Sequence, residues 1–194
     1  MSDETAGVKT RDALSADLAR LLADGECVLF FGDDDRSPLP TGDWAPGRQA
    51  FGGRLTAALP AGLRRANATP WEVAEDYQVL HGRHALVQEF RNWSRAAGSD
   101  PYPIHRAVAR LPLEAIITTC QDGRLEQALK EAGKTPVTVV ADADVPFVGA
   151  DKVLVLKLFG DVEQPDTLVL TDADLHNLKT RLRASLPYRK LVRL

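Results

Sequence analysis

The spacing of apolar residues changes along this 194-residue chain, and the changes mark out its elements. From Asp12, DALSADLARLLAD sets Leu14, Leu18, Leu21 and Leu22 three and four apart, the repeat of a helix with one apolar stripe. Gly25 is placed to end that helix, because a left-handed residue there frees the chain to turn away. ECVLFFG follows, apolar without a break from Cys27 to Phe31 and bounded by Gly32, which predicts a strand buried on both faces. Residues 32–47, GDDDRSPLPTGDWAPG, are a loop rich in Gly, Pro and Asp. Loops of that length more often carry function or move than stand idle.

Residues 48–111 read as mostly helical. RQAFGGRLTAALP is one helix weakened by Gly52 and Gly53. TPWE (69–72) is a helix start, with Thr69 as cap, Pro70 in the first turn and Glu72 closing a capping box; the helix runs to about His81. RHALVQEFRNWSRAA repeats the helical spacing through Leu86, Phe90 and Trp93, and PIHRAVARLP is a short helix closed by Pro112. The second half alternates. Strands are predicted at 114–119, 135–141, 151–160 and 166–171, with a helix over 122–133 ended by Gly133. A last helix starts at a Thr171–Asp174 cap. Strands alternating with helices imply a three-layer α/β domain: a parallel sheet with helices on both faces, here with a helical insert over about 48–111. Residues 1–9 read as disordered, and residues 10–194 as one domain, either whole or the N-terminal module of a longer protein.

Composition narrows the class. A hydrophobic share of 44% supplies a core, and a net charge of −3 argues against nucleic-acid binding by bulk electrostatics. The exception is a basic C-terminal segment, Lys179, Arg181, Arg183, Arg189, Lys190 and Arg193, which reads either as a solvated helix face or as a surface for an acidic partner. Two cysteines make no disulfide framework; Cys27 opens one strand and Cys120 closes another, so parallel strands hold them at opposite ends of the sheet, reduced, as in a cytoplasmic protein. The polar N-terminus has no signal-peptide pattern, and no apolar run approaches the ~18 residues a membrane span needs.

In open parallel sheets ligands bind beyond the carboxyl ends of the strands. Three strand ends carry polar residues: FFGDDDRS, TTCQD and KLFGDVEQPD. With their surroundings, LPLEAIITTCQDGRLEQAL and KLFGDVEQPDTLVLT, and with PIHRAVARLP and AEDYQVLHGRHALVQEF, they resemble the SIR2-like domain of bacterial defence and signalling proteins, a relative of the sirtuins, over roughly residues 14–180. The resemblance implies a Rossmann-like fold of the DHS-like NAD-binding type that cleaves the bond between nicotinamide and ribose. It also implies an asparagine in a Thr-Thr-Asn turn and a histidine base in a Leu-His-Gly turn. The cofactor pocket maps onto Gly32, Asp33, Asp34, Thr119, Cys120, Asp122, Phe159 and Gly160.

The chain departs from the family at the chemical positions. Cys120 stands for the asparagine and Phe159 for the histidine, and a phenyl ring has no lone pair to take a proton. Asp33 and Asp34 replace the small residues of the family's glycine turn, with Asp35 next, so carboxylates stand where a pyrophosphate would lie. Two such charges at about 4 Å repel by about 4 kcal/mol at an effective dielectric near 20. The frame around these positions stays readable, which points to a retained fold and a lost reaction.

Each remaining candidate has a plain reading beside the functional one. Cys120 is a nucleophile or a small buried side chain; no histidine lies in its motif. Asp33 to Asp35 are oxygen ligands or a solvated acidic loop, and adjacent acids cannot all face one ion, so no metal site is assigned. His105 reads as a packing residue; His81, His84 and His176 read as surface residues. Asp122 reads as a helix cap and Asp161 as a turn former, while Trp44 is either a contact residue or a plug. The expectation is a catalytically inactive SIR2-like domain without cofactor, serving as an interaction or assembly module with a protein partner or a second copy. The alternative is a domain that senses or hydrolyses NAD or an ADP-ribose derivative.

Overall fold

The computed structural model describes residues 11–32, 47–141, 144 and 151–184. Four strands, β1 (Val28–Phe31), β2 (Ala115–Thr118), β3 (Pro136–Val139) and β4 (Val153–Lys157), form one parallel sheet in the order β1-β2-β4-β3. The helices are α1 (Arg11–Ala23), α2 (Arg48–Ala58), α3 (Pro70–Ala96), α4 (Pro103–Ala109), α5 (Arg124–Glu131) and α6 (Asp172–Ala184). The disordered N-terminus expected over 1–9, the acidic turn Asp33–Asp35 and Trp44 lie outside the described residues.

Local sequence explains the element ends. Gly25 (φ 73°) and Gly133 (φ 78°) each close a helix with paired bonds: Gly25 N–H to Leu22 and Glu26 N–H to Leu21, Gly133 N–H to Lys130 and Lys134 N–H to Leu129. At the start of α3, the Glu72 amide donates to Thr69 Oγ1 and the Thr69 amide donates to Glu72 Oε2, the reciprocal box its sequence predicts. The helix ending at about His81 and the one resuming at Arg83 are halves of α3, joined where Gly82 breaks the helical path (φ 83°, ψ 160°). At the start of α6, Asp174 Oδ2 accepts from the Leu170 and Thr171 amides, and Thr171 Oγ1 accepts from the Asp174 amide.

Two apolar clusters flank the sheet. On one face Leu29, Phe31, Ile116, Val153 and Val155 pack with Val108 of α4 and Leu125 and Leu129 of α5. On the other, Val137, Val139, Ile117, Leu154 and Leu156 meet Leu182 of α6. A third cluster joins Phe51 and Leu55 of α2, Leu86 and Phe90 of α3, and Val162, Leu168 and Leu170. The helical insert thus has its own core, stitched to the chain that follows β4.

Two expectations need correction. β1 is not buried on both faces: Val28 is 41% and Phe30 62% exposed, because β1 is an outer strand of the described sheet and only its Leu29–Phe31 side meets helices. Residues 166–171 do not form a fifth strand. Pro165–Thr167 is a turn of 3₁₀ helix, and the backbone groups after it bond elsewhere. The Val169 amide donates to the Phe159 carbonyl (2.9 Å), Gln121 donates to the Val169 carbonyl (3.1 Å) and Arg83 donates to the Leu168 carbonyl (2.5 Å). The Leu168 amide donates to Pro165 and the Leu170 and Thr171 amides to Asp174, so none of the four amides of Leu168–Thr171 is left to join a ladder.

Two glycines predict opposite effects. Gly160 has φ 82°, and a Cβ there would lie 2.2 Å from the Thr167 carbonyl oxygen, so Gly160→Ala should cost more than about 2 kcal/mol. Gly53 lies within α2 with open space around its Cβ position, so Gly53→Ala should stabilise by about 0.5–1 kcal/mol. Urea unfolding of both variants checks the pair.

Candidate functional site

The ends of β1, β2 and β4 meet on one side of the sheet. The Thr119 amide donates to the Phe31 carbonyl (3.3 Å), and a Cβ on Gly32 would sit 3.6 Å from Thr119 Oγ1, so the first described residue of the long loop lies beside the second motif. The Leu158 amide donates to the Thr118 carbonyl and the Val162 amide to the Gln121 carbonyl, both at 2.8 Å. Gly32, Thr119, Cys120, Asp122, Phe159 and Gly160 therefore share one corner of the molecule, while Asp33 and Asp34 lie outside the described residues.

The corner is held from below by Lys157, the last residue of β4 and fully buried. Its Nζ donates to Asp161 Oδ2 (2.6 Å) and to the Asp122 carbonyl (2.5 Å), and lies 2.9 Å from Glu126 Oε1. Burial alone would lower the lysine pKa, but the Glu126 and Asp161 carboxylates outweigh it and hold the group above its ordinary value. One ammonium thus ties the β2 turn, the first turn of α5 and the turn after Gly160.

Cys120 is 1% exposed, its amide bonded to Thr118 Oγ1 (3.0 Å). Gln121, 4% exposed, crosses the corner: Nε2 donates to the Phe159 carbonyl (2.9 Å) as well as to Val169, and Oε1 accepts from Arg48 Nη2 (2.7 Å). The Arg48 guanidinium lies 3.8 Å over the Trp71 ring and 5.6 Å from the Phe159 ring, and Trp71 meets Phe159 edge to face at 5.5 Å. Phe159 is therefore one member of a stack supplied by α2 and α3. Beside it, the recess lined by Arg48, Tyr102, His105, Gln121 and Asp122 has an interior of about 30 Å³.

Asp122 accepts at Oδ1 from the Arg124 amide (3.0 Å), an Asx turn just before α5 rather than the helix cap expected of it, since the capping position is Gly123, and at Oδ2 from the Arg124 guanidinium. Arg124, 5% exposed, also donates to the Ala97 and Gly98 carbonyls and lies 4.7 Å over Tyr102, so it grips the end of α3. His105 is buried: Nδ1 accepts from the Tyr102 amide (3.0 Å) and the ring meets Phe31 edge to face. Burial first, opposed by Asp122 and reinforced by Arg124 and Arg106, lowers its pKa to about 4. His81, His84 and His176 are exposed, with His81 stacked on Tyr77. Lys179, Arg181 and Arg183 are exposed on α6; Arg189, Lys190 and Arg193 lie outside the described residues. Among the described residues no group of His, Cys, Asp and Glu is arranged to hold a metal ion, and no helix is long and apolar enough to cross a membrane.

Sequence reasoning missed Lys157, Glu126, Arg48, Trp71 and Gln121. Only Lys157 gave a signal, a cation inside the apolar run VLVLKLF. The others work through contacts between distant segments, Arg48 with Gln121 being 73 residues apart.

A parallel sheet with polar turns gathered at its carboxyl edge is the architecture of Rossmann-like nucleotide-binding proteins. The model of the SIR2-like domain family matches residues 114–193, the span that carries the second and third motifs, so over that span the chain is similar to SIR2-like domains, as its motifs indicate. No curated protein matches the chain.

Two predictions follow from the corner. Lys157→Met leaves Glu126 and Asp161 buried without their cation and should cost about 3–5 kcal/mol in urea unfolding. His105 binds its proton less readily folded than unfolded, so its contribution is present above pH 6.5 and is lost as pH falls from 6.5 through about 4, on the order of 3 kcal/mol in all. Unfolding free energies across that range should be flatter for His105→Gln than for the parent chain.

Proposed function

We propose that this protein is a catalytically inactive SIR2-like domain, without a cofactor, that works by association with a protein partner or a second copy. The observation that carries the reading is the stack at Phe159. Where the resemblance calls for a proton acceptor there is a hydrocarbon ring, packed against Trp71 and beneath Arg48. The nearby histidine does not replace it: His105 has Nδ1 engaged and a pKa lowered to about 4, far from the near-neutral value suited to a general base. A thiol buried to 1% exposure is poorly placed as a nucleophile.

The recess supports the same reading. About 30 Å³ beside Asp122 leaves little room for a nicotinamide ring, which supports the reading without a cofactor. The setting, a bacterial defence or signalling system, is inferred from the family resemblance alone. The association role draws support from the exposed apolar side chains of β1, Val28 and Phe30. In the competing reading the stack opens and the domain senses or hydrolyses NAD or an ADP-ribose derivative.

Calorimetric titration with NAD and with ADP-ribose should show no binding heat at millimolar ligand, and nicotinamide release should stay at the buffer rate. Micromolar binding, or turnover lost in Cys120→Ala, would establish the competing reading. Light scattering should find a mass above that of one chain, or affinity capture a specific partner; a monomer that captures nothing removes the association role.

A further inference from the structure

One face of the sheet is only half covered. The parallel register sets Val28 and Phe30 in line with Ala115, Ile117, Leu154 and Leu156, on the face away from α4 and α5. Over β3 and β4 that face meets Leu182 of α6. Val28 and Phe30 join none of the apolar clusters, and Phe30 is 62% exposed. Leu22 of α1 packs in the cluster on the opposite face. Contiguous exposed apolar side chains mark a surface that something covers.

The chain itself carries a segment that fits. α6 is described to Ala184, and the sequence continues as SLPYRKLVRL over 185–194, outside the described residues. In that sequence Pro187 suits the first turn of a helix. Tyr188, Leu191 and Val192 fall three and four apart on one side of such a helix, with Arg189, Lys190 and Arg193 on the other. Neighbouring strands lie about 4.8 Å apart and a helix is about 10 Å wide, so one helix covers two strands. With α6 over β3 and β4, the open place beside it lies over β2 and β1. The stretch from Ser185 to Pro187, when extended, spans the roughly 10 Å between the two positions. Charge agrees, because Asp24, Glu26 and Glu114 are exposed at the amino ends of β1 and β2. The other undescribed stretches fit less well. Residues 1–10 and 33–46 each carry more acids than cations, and 145–150 join β3 to β4, away from β1.

We propose that residues 185–194 are the cover of this face, laid across β1 and β2 with Tyr188, Leu191 and Val192 against Val28 and Phe30. The basic side chains of the segment then stay in water, where the flanking acids complement them. The cover takes the face of β1 and leaves its outer hydrogen-bonding edge open. A partner is still free to add at that edge, so this proposal and the association role fail independently.

The test attaches a nitroxide to the full chain at Arg193→Cys in a Cys27→Ser background, Cys120 being too buried to react. The amide signals of Leu29, Phe30, Ala115 and Ile117 should be lost with the label oxidised and return when it is reduced. They should persist when nitroxide-bearing chains are mixed with isotope-labelled chains that carry no nitroxide. Leu191→Asp with Val192→Asp should lower the docked population at least about ten-fold and restore the signals with the label still oxidised. Signals untouched by the label, or lost in the folded double variant as well, would overturn the proposal. Loss in the mixed sample would overturn it too, and would identify a second copy as the occupant.

Discussion

The corner of this molecule depends on one buried cation. Lys157 sits at the end of a strand with no exposed surface, and its ammonium is tolerable there only because two carboxylates and a carbonyl surround it. Those three partners belong to three separate segments: the turn after β2, the first turn of α5 and the turn after Gly160. Charge-assisted hydrogen bonds in a poorly solvated interior therefore do what a hydrophobic contact could not: they set the direction of each turn as well as its distance. Gly160 completes the arrangement, since its left-handed backbone brings the chain against the Thr167 carbonyl closely enough to exclude any side chain.

On that base the corner is filled from the insert. Arg48, at the start of α2, reaches Gln121 and covers Trp71, and Trp71 supports Phe159. Gln121 spends both ends of its amide on this packing, one on Arg48 and the other on two backbone carbonyls. The aromatic position and the carboxamide position are thus parts of one packed unit, held by cation–π, edge-to-face and hydrogen-bond contacts together. Arg124 adds a second link between insert and sheet by gripping the end of α3.

Much of the fold was legible because its signals are local. Capping residues, left-handed glycines and the switch between helical and strand spacing placed α1 through α6 and all four strands. The failures have a common cause. LVLT and VLFF carry strand-like composition, but whether such a run joins a ladder, or is covered on both faces, depends on neighbours far away in the chain. LVLT loses its ladder to the Gln121 and Arg83 side chains, and VLFF lies at an outer position with one side uncovered. At the corner, motif order located Cys120, Asp122 and Phe159, which do come together. The Arg48–Trp71–Phe159 stack was invisible because no spacing rule relates residue 48 to residue 159.

The break at Gly82 bears on how the insert behaves under load. The half of α3 before it is pressed close to α2, where Gly52 admits Pro70; the half after it is anchored by Arg83 to the residues before α6 and by Arg124 at its far end. Both halves pack into the same core with α2, and the forward half is held besides by Trp71 against Phe159 and by Glu75, which accepts from the Ala173 amide at the start of α6. The bend at Gly82 thus redirects one helix toward two separate supports, and a load on either arm reaches the strand ends through side chains as well as along the backbone.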